Sequence, residues 1–242
     1  MDNSIYITLT RELALFRDMD ITANNIANTN TTGYSSEHLL FNTYVTKDIN
    51  QGNQNPMAFA TDIASYRDTT GGSLTVTNND LDVAIQGDGY FIVDTPLGQR
   101  YTRAGNFQID GTGTLTTPEG YPVEDNSGQH IVLPENTKTI QIGGAGNLKV
   151  NGEDFATINV VQFDNQQLLE RLNGKLFKSK IAGQPAQNFT VAQGMLESSN
   201  VQPVGEMTHM ITLSHNVADT DKFIEVIYDL ERKASNTWAQ QS

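Results

Sequence analysis

The side chains that could do chemistry in this sequence do not stand at the spacings that catalysis or metal binding requires. His209 and His215 lie on one predicted helix, but their separation does not place them on one face as a pair of zinc ligands. Asp80 and Asp82 could form a glycosidase carboxylate pair, yet the small turns around this strand-like stretch favour a solvated face or a turn cap. The glycines of 143–146 follow a strand-like run without the spacing of a phosphate-binding loop. The sequence therefore predicts no enzyme activity, no catalytic residue, no cofactor and no metal site.

The composition of the chain disfavours nucleic acid and membranes as partners. Its 15 basic and 28 acidic residues give a formal net charge of −13, and this field would repel a phosphate backbone. No apolar run approaches the roughly 18–20 residues that span a bilayer, and charged residues interrupt the N-terminal segment where a secretory signal would be apolar. The absence of cysteine excludes disulfides, thiolate metal sites and cysteine nucleophiles. We therefore expect no nucleic-acid binding and no direct membrane insertion.

The two ends of the chain carry the apolar spacing of α-helices. Steps of three and four residues from Tyr6 to Ala27, interrupted once at Asp20, predict an N-terminal helix that ends near residue 33. The same steps from Met210 to Trp238 predict a long C-terminal helix that begins near Pro203. Two lone helices cannot bury both stripes against each other, so we expect neighbouring subunits to complete the packing. The predicted assembly residues are Leu9, Leu13, Phe16, Ala23, Asn24, Asn25, Ala27, Asn28, Met210, Leu213, Val217, Ile224, Ile227 and Ala234.

The middle of the chain has the pattern of an antiparallel β structure. Short runs of strand formers, such as 90–93 and 158–163, alternate with turn formers, and no helix of crossover length separates them. One short helix is expected at about 165–172. The predicted fold class is α+β, with long N- and C-terminal helices forming a coiled-coil-like α domain and a central antiparallel β domain. The predicted boundaries are 1–33 for the N-terminal helix, 34–74 for an extended connector, 75–200 for the β domain and 201–242 for the C-terminal helix.

Three segments resemble the flagellar rod and hook protein family. They are the Asn-rich helix end followed by Thr-Gly-Tyr at 23–34, the stretch 79–91 with its continuation at 101–107, and the lead-in to the C-terminal helix at 193–201. The segments follow one another in the order of the family across essentially the whole chain. The residues that carry the motif are Gly33, Tyr34, Asp82, Gly87, Gly89, Tyr101, Thr102, Arg103, Gly105, Glu197, Ser199, Asn200 and Val201.

The resemblance implies a structural subunit of the basal-body rod of a bacterial flagellum, a helical drive shaft that spans the periplasm and transmits torque to the hook. It implies other rod subunits, copies of the same chain and the flagellar type III export apparatus as partners. The start Met1-Asp2 with Ile5-Tyr6 is more similar to proximal-rod than to distal-rod members. Two alternatives stay open: a distal-rod subunit of the same family, and a non-flagellar binding or adhesion protein that combines a coiled coil with a β domain.

Overall fold

The computed structural model of the chain describes residues 3–46 and 57–240. Long helices stand at the two ends, α1 (Asn3–Ala27) and α2 (Pro203–Gln240). Every strand pair in the described residues is antiparallel. The strands are β1 (Glu37–Thr46), β2 (Met57–Arg67), β3 (Leu74–Val76), β4 (Val83–Gly87), β5 (Tyr90–Thr95), β6 (Gly98–Thr102), β7 (Gln108–Ile109), β8 (Leu115–Thr116), β9 (Ile140–Ile142), β10 (Asn147–Val150), β11 (Glu153–Thr157), β12 (Val160–Gln162), β13 (Glu170–Asn173), β14 (Leu176–Lys178), β15 (Gln184–Pro185), β16 (Phe189–Gln193) and β17 (Met195–Glu197).

The chain forms two compact units. The helical unit consists of residues 1–27, 37–67 and 202–242, and the β unit consists of residues 28–36 and 68–201, each within the described ranges. The β unit is therefore larger than the predicted β domain, because it also includes residues 28–36, 68–74 and 201.

The helical unit is not the coiled-coil-like α domain that the sequence predicted, and that part of the fold class is wrong. The described residues contain two α-helices, and a β-hairpin belongs to the same unit. The buried side of α1 is largely polar, with Thr8, Asp18, Thr22 and Asn25 buried there beside Leu15. A coiled coil needs a continuous apolar stripe between its helices, and this buried side does not supply one.

A long hairpin occupies most of the stretch predicted as an extended connector, 34–74. Its strands β1 and β2 pair from Glu37 opposite Arg67 to Thr46 opposite Met57. Aromatic and β-branched residues are frequent in both strands and favour this pairing over an extended linker. Residues 47–56 of the predicted connector lie outside the described residues.

A six-stranded sheet organises the β unit, in the order β13-β14-β6-β5-β12-β15. Strand β5 is buried on both faces. Phe91 and Val93 pack into the larger apolar cluster, whereas Tyr90 and Ile92 pack into a smaller one. This double burial explains the uninterrupted apolar run at 90–93, since a half-buried strand would alternate.

The helix predicted at about 165–172 is a single 3₁₀ turn, Gln166–Leu168. The Asn165 side chain caps this turn by accepting a hydrogen bond from the Gln167 amide. Leu169 then adopts an extended backbone and is buried in the smaller cluster, so the chain continues as strand β13.

Candidate assembly surfaces and motif cluster

The predicted apolar residues of α1 are exposed on the helical unit. Leu13 is 56% exposed, and Leu9 and Phe16 are exposed beside it. Asp20, Ala23 and Ala27 continue the same side of the helix and are also exposed. With 3.6 residues per turn, this side lies opposite the buried side of α1. We call Leu9, Leu13, Phe16, Asp20, Ala23 and Ala27 the outer face of α1.

The predicted apolar residues of α2 lie on its inner side. Leu213 is only 3% exposed, and Thr220 is buried on the same side. The other predicted residues there are half-buried, namely Met210, Val217, Ile224 and Ile227. The side chain of Ala234 lies outside the described residues. Leu213 therefore packs within the helical unit, whereas the half-buried residues keep part of their surface exposed, and their role in assembly stays a prediction.

A second apolar stripe, which the sequence prediction did not include, is exposed on the opposite side of α2. Ile211 is 59% exposed. Steps of three and four residues connect the members of this stripe, and that spacing was the available signal, although His215 and Lys222 interrupt it. We call the following exposed residues the outer stripe of α2: Val204, Met207, Ile211, His215, Ala218, Lys222, Val226, Leu230 and Lys233.

The two helices run antiparallel within the helical unit. His209 Nε2 lies 3.2 Å from the Asp18 carboxylate. Further along, the N-terminal half of α1 faces the middle of α2 across a groove of about 340 Å³, which is lined by Ile7, Thr8, Arg11, Asn216, Asp219, Thr220 and Phe223. Residue 18 therefore lies near 209 and residue 8 near 220, which fixes the direction of α2 against α1.

The predicted assembly residue Asn25 lies inside the helical unit and is 1% exposed. Its side-chain amide donates to the Glu37 carbonyl at 2.8 Å and accepts from the Glu37 amide at 3.1 Å. The Asn25 amide thus takes the place of a strand neighbour at the first residue of β1. Its neighbour Asn24 is exposed and donates to the Asp20 carbonyl. Asn28, in the β unit, accepts from the Thr31 hydroxyl.

Many of the predicted motif residues come together in the β unit around one buried ion pair. Arg103 Nε lies 2.8 Å from Glu197 Oε2, and the two side chains are only 7% and 6% exposed. The Arg103 guanidinium also donates to the carbonyls of residues 85, 87 and 89. Glu197 Oε1 accepts from the Gly72 amide at 3.0 Å. Each charge is therefore compensated, as a buried pair requires.

Asn200 holds three segments of the β unit together. Its Oδ1 accepts from the Ser36 amide at 2.7 Å, and its Nδ2 donates to the carbonyls of Asp68 and Thr70 at 3.1 and 2.9 Å. Its own amide donates to the Tyr34 carbonyl. Residues from before β1, after β2 and before α2 are thereby joined at one side chain.

Gly33 and Gly105 occur where the backbone leaves no room for a side chain. A Cβ on Gly33 would lie 2.6 Å from the Ala104 nitrogen, and its φ of +67° is in the left-handed region. A Cβ on Gly105 would lie 1.7 Å from the Val83 carbonyl oxygen. The Gly33 amide also donates to the Glu197 carbonyl. These glycines permit the close approach of segments that the ion pair and Asn200 then hold.

Tyr34 is buried and covered by a cation. The Arg171 guanidinium lies 4.3 Å from the centre of the Tyr34 ring, within the range of a cation–π interaction. Arg171 also donates to the Ser35 carbonyl. We call Gly33, Tyr34, Arg103, Glu197 and Asn200 the motif cluster.

The remaining motif residues shape the backbone or fill the core nearby. Gly87 has a φ of +100°, as the predicted strand reversal requires, and a Cβ on Gly89 would lie 2.7 Å from Val160. Tyr101 is buried in the smaller apolar cluster, as predicted. Four others form local hydrogen bonds or are buried, namely Asp82, Thr102, Ser199 and Val201.

A second buried carboxylate of the β unit is Glu124. Both of its oxygens accept from Gln99 Nε2, at 3.1 and 2.8 Å. Burial raises the pKa of Glu124, and the negative charge of Asp94 adds to this effect while the Gln99 hydrogen bond opposes it. Asp94 lies 3.1 Å from His130 Nε2.

Two searches of the described residues give negative results. Over 3–46 and 57–240, no helix combines the length and the apolar character that crossing a bilayer demands. The same ranges contain no group of three or more His, Asp or Glu side chains arranged to hold a metal ion.

Three stretches of the chain match known protein families. Residues 84–150 match the family described as flagellar hook protein FlgE/F/G D1 domain. Residues 192–217 match the flagellar basal body rod FlgEFG protein C-terminal family, and residues 14–34 match the flagella basal body rod protein family.

Similar proteins extend over nearly the whole chain. The flagellar basal-body rod protein FlgF of Caulobacter vibrioides is 35% identical over 97% of both chains, and FlgF of Mesorhizobium japonicum is 34% identical over 91% of both. FlgG of Bacillus subtilis is 32% identical over 85% of this chain and 88% of its own. The chain therefore belongs to the flagellar basal-body rod protein family, whose members are structural subunits, and this confirms the resemblance in its motifs. It is FlgF-like within that family, and the rod interpretation is favoured over a non-flagellar adhesion protein.

Proposed function

We propose that this chain builds the flagellar rod by burying the outer face of α1 and the outer stripe of α2 against helices of neighbouring rod subunits. The observation that carries the proposal is the exposure of two apolar surfaces, on opposite sides of a pair of packed helices. Contiguous exposed apolar residues of this kind mark protein–protein interfaces. The role is mechanical and includes no chemical step.

The two units have different roles, and this difference supports the function of a rod subunit. The motif cluster stabilises the β unit internally, because its polar side chains form an ion pair and hydrogen bonds within that unit. The helices instead leave the apolar side chains of the outer face and the outer stripe exposed. In the assembled rod, burial of these side chains joins the subunits that carry torque from the motor to the hook.

Delivery through the flagellar type III export apparatus is part of the proposal. It is supported by the family to which the chain belongs. Other rod subunits and copies of this chain are the proposed neighbours after export.

The test is a charged substitution in each outer surface. Leu13→Asp and Ile211→Asp each leave the free chain folded, because both positions are exposed, but each would bury a carboxylate in the assembled rod at a cost of several kcal/mol. We expect normal export and folding, no incorporation into purified basal bodies and no motility.

The matched control is Thr212→Asp, an exposed neighbour of Ile211 that lies off the outer stripe. It should incorporate and swim. Normal incorporation of Leu13→Asp and Ile211→Asp would show that these surfaces do not join subunits. Equal failure of Thr212→Asp would show that the effect comes from added charge on α2 rather than from the stripe.

A further inference from the structure

We propose that successive copies of this chain join through one heterologous contact, in which the outer face of α1 of one copy packs antiparallel on the outer stripe of α2 of the next, with Asp20 paired to Lys222. This inference rests on the proposed function and adds the partner, the direction and the register of the contact.

The two outer surfaces are different, and the members of each are exposed in the helical unit. The helices pack through their inner sides, where Leu213 and Thr220 are buried, so the outer face and the outer stripe point away from each other. A contact between two unlike surfaces is heterologous and repeats from copy to copy, and it gives an open helix when the rotation between copies does not close a ring. One such contact is sufficient to extend an open helical polymer.

The charges of the two surfaces are complementary. Asp20 is the ionisable residue of the outer face of α1, and its other members are apolar. The polar residues of the outer stripe of α2 are His215, Lys222 and Lys233, which are basic. Neither the Asp20 carboxylate nor the Lys222 ammonium group has an ion-pair partner among residues 3–46 and 57–240. Opposite charges on facing surfaces fix register and exclude wrong partners.

The direction follows from symmetry. Within one chain α1 and α2 are antiparallel, because Asp18 lies near His209 and Thr8 near Thr220. The proposal places both helices along the polymer axis, and because all copies share one polarity along that axis, α1 of one copy meets α2 of the next antiparallel as well.

Pairing Asp20 with Lys222 in an antiparallel contact aligns the rest of both surfaces. One turn away, Phe16 faces Val226, and two turns away Leu13 faces Leu230. In the other direction Ala23 faces Ala218, where two small side chains allow the helices to approach closely. Between residues 13 and 23 of α1, apolar residues thus meet apolar residues on both sides of the charge pair, while at the two ends of the contact Leu9 faces Lys233 and Ala27 faces His215.

Cysteine cross-linking tests the register, because the natural chain contains no cysteine. Phe16→Cys and Val226→Cys are placed in separate copies of the full chain and expressed together, so that any disulfide joins two chains. After oxidation of purified basal bodies, we expect a dimer of this chain.

The control replaces Val226→Cys with Met207→Cys, which lies on the same outer stripe but about 28 Å further along the helix. It should give no dimer, since a disulfide needs Cα atoms within about 7 Å. A dimer with Met207→Cys, no dimer with Val226→Cys, or a cross-link to a different rod protein would each overturn the proposal.

Charge reversal separates this inference from the proposed function. Asp20→Lys and Lys222→Asp should each lower incorporation about tenfold, because each places like charges together. The double variant should restore incorporation to within about twofold of the natural chain, and both helices stay folded because the two positions are exposed. If the single reversals have no effect, or the double variant is no better than the worse single, the pairing is refuted. The proposed function fails only if Leu13→Asp and Ile211→Asp also incorporate normally.

Discussion

Removing Arg103 from the motif cluster should destabilise the β unit by about 3–5 kcal/mol, the usual cost of breaking a buried ion pair. The Arg103→Ala change leaves the Glu197 carboxylate buried without its cation, while the Gly72 amide still donates to Oε1. It also removes the donor from the carbonyls of residues 85, 87 and 89. A domain of ordinary stability, about 5–15 kcal/mol, would lose much of its margin.

The matched variant Glu197→Gln should cost less, about 1–3 kcal/mol. Its amide oxygen still accepts a hydrogen bond, and Arg103 keeps its three carbonyl acceptors. Urea unfolding of the full chain, followed by the near-ultraviolet circular dichroism of buried Tyr90 and Tyr101, measures both values. A cost below about 1 kcal/mol for Arg103→Ala, or a larger cost for Glu197→Gln, would refute the idea that compensation of a buried charge stabilises this cluster.

Two further predictions concern the β unit. Asn200→Ala should lower the free energy of unfolding by about 2–4 kcal/mol, since three hydrogen bonds are lost. Hydrogen exchange of the Ser36 amide should accelerate more than tenfold. Unchanged exchange at Ser36 would show that Asn200 does not hold this segment. The folded-state pKa of Glu124 is raised above its unfolded value of 4.5, so the folded β unit keeps this proton to a higher pH than the unfolded chain does. The contribution of Glu124 to the free energy of unfolding therefore falls as pH rises from about 4.5 through the folded pKa. Glu124→Gln should therefore be more stable than the natural chain near pH 7 and equal to it below that window, as measured by unfolding midpoints against pH; a constant difference at all pH values would contradict this assignment.

The helices could be predicted from the sequence because their apolar residues recur at three- and four-residue steps. The steps do not reveal which stripe of a helix packs inside its own chain. In α2 both sides carry such steps, and the stripe with fewer polar interruptions, around Leu213, is the inner one. In α1 the apolar stripe is exposed, and the inner side is lined by Thr8, Asp18 and Thr22, whose polarity gives no sign of burial.

The hairpin and the motif cluster could not be predicted from the sequence, for a different reason. Pairing of Glu37 with Arg67 and of Arg103 with Glu197 joins residues far apart in the chain. Local propensity favours a strand or a turn at each place, but it carries no information about the partner. The motif residues could be recognised individually, whereas their shared role depends on three-dimensional contacts.

The positions of the motif cluster and the outer surfaces separate two kinds of defect that would look alike in a swimming assay. Changes at Arg103 or Asn200 act inside the β unit and should lower the amount of folded protein. Changes at Leu13 or Ile211 act on exposed side chains and should leave the folded chain intact but unable to join its neighbours. Because resemblance to the family is carried mainly by the first kind of residue, the family motif identifies how the subunit folds. The outer face of α1 and the outer stripe of α2 would instead determine which neighbours the folded subunit accepts, so only an assay of folded protein beside the swimming assay tells the two defects apart.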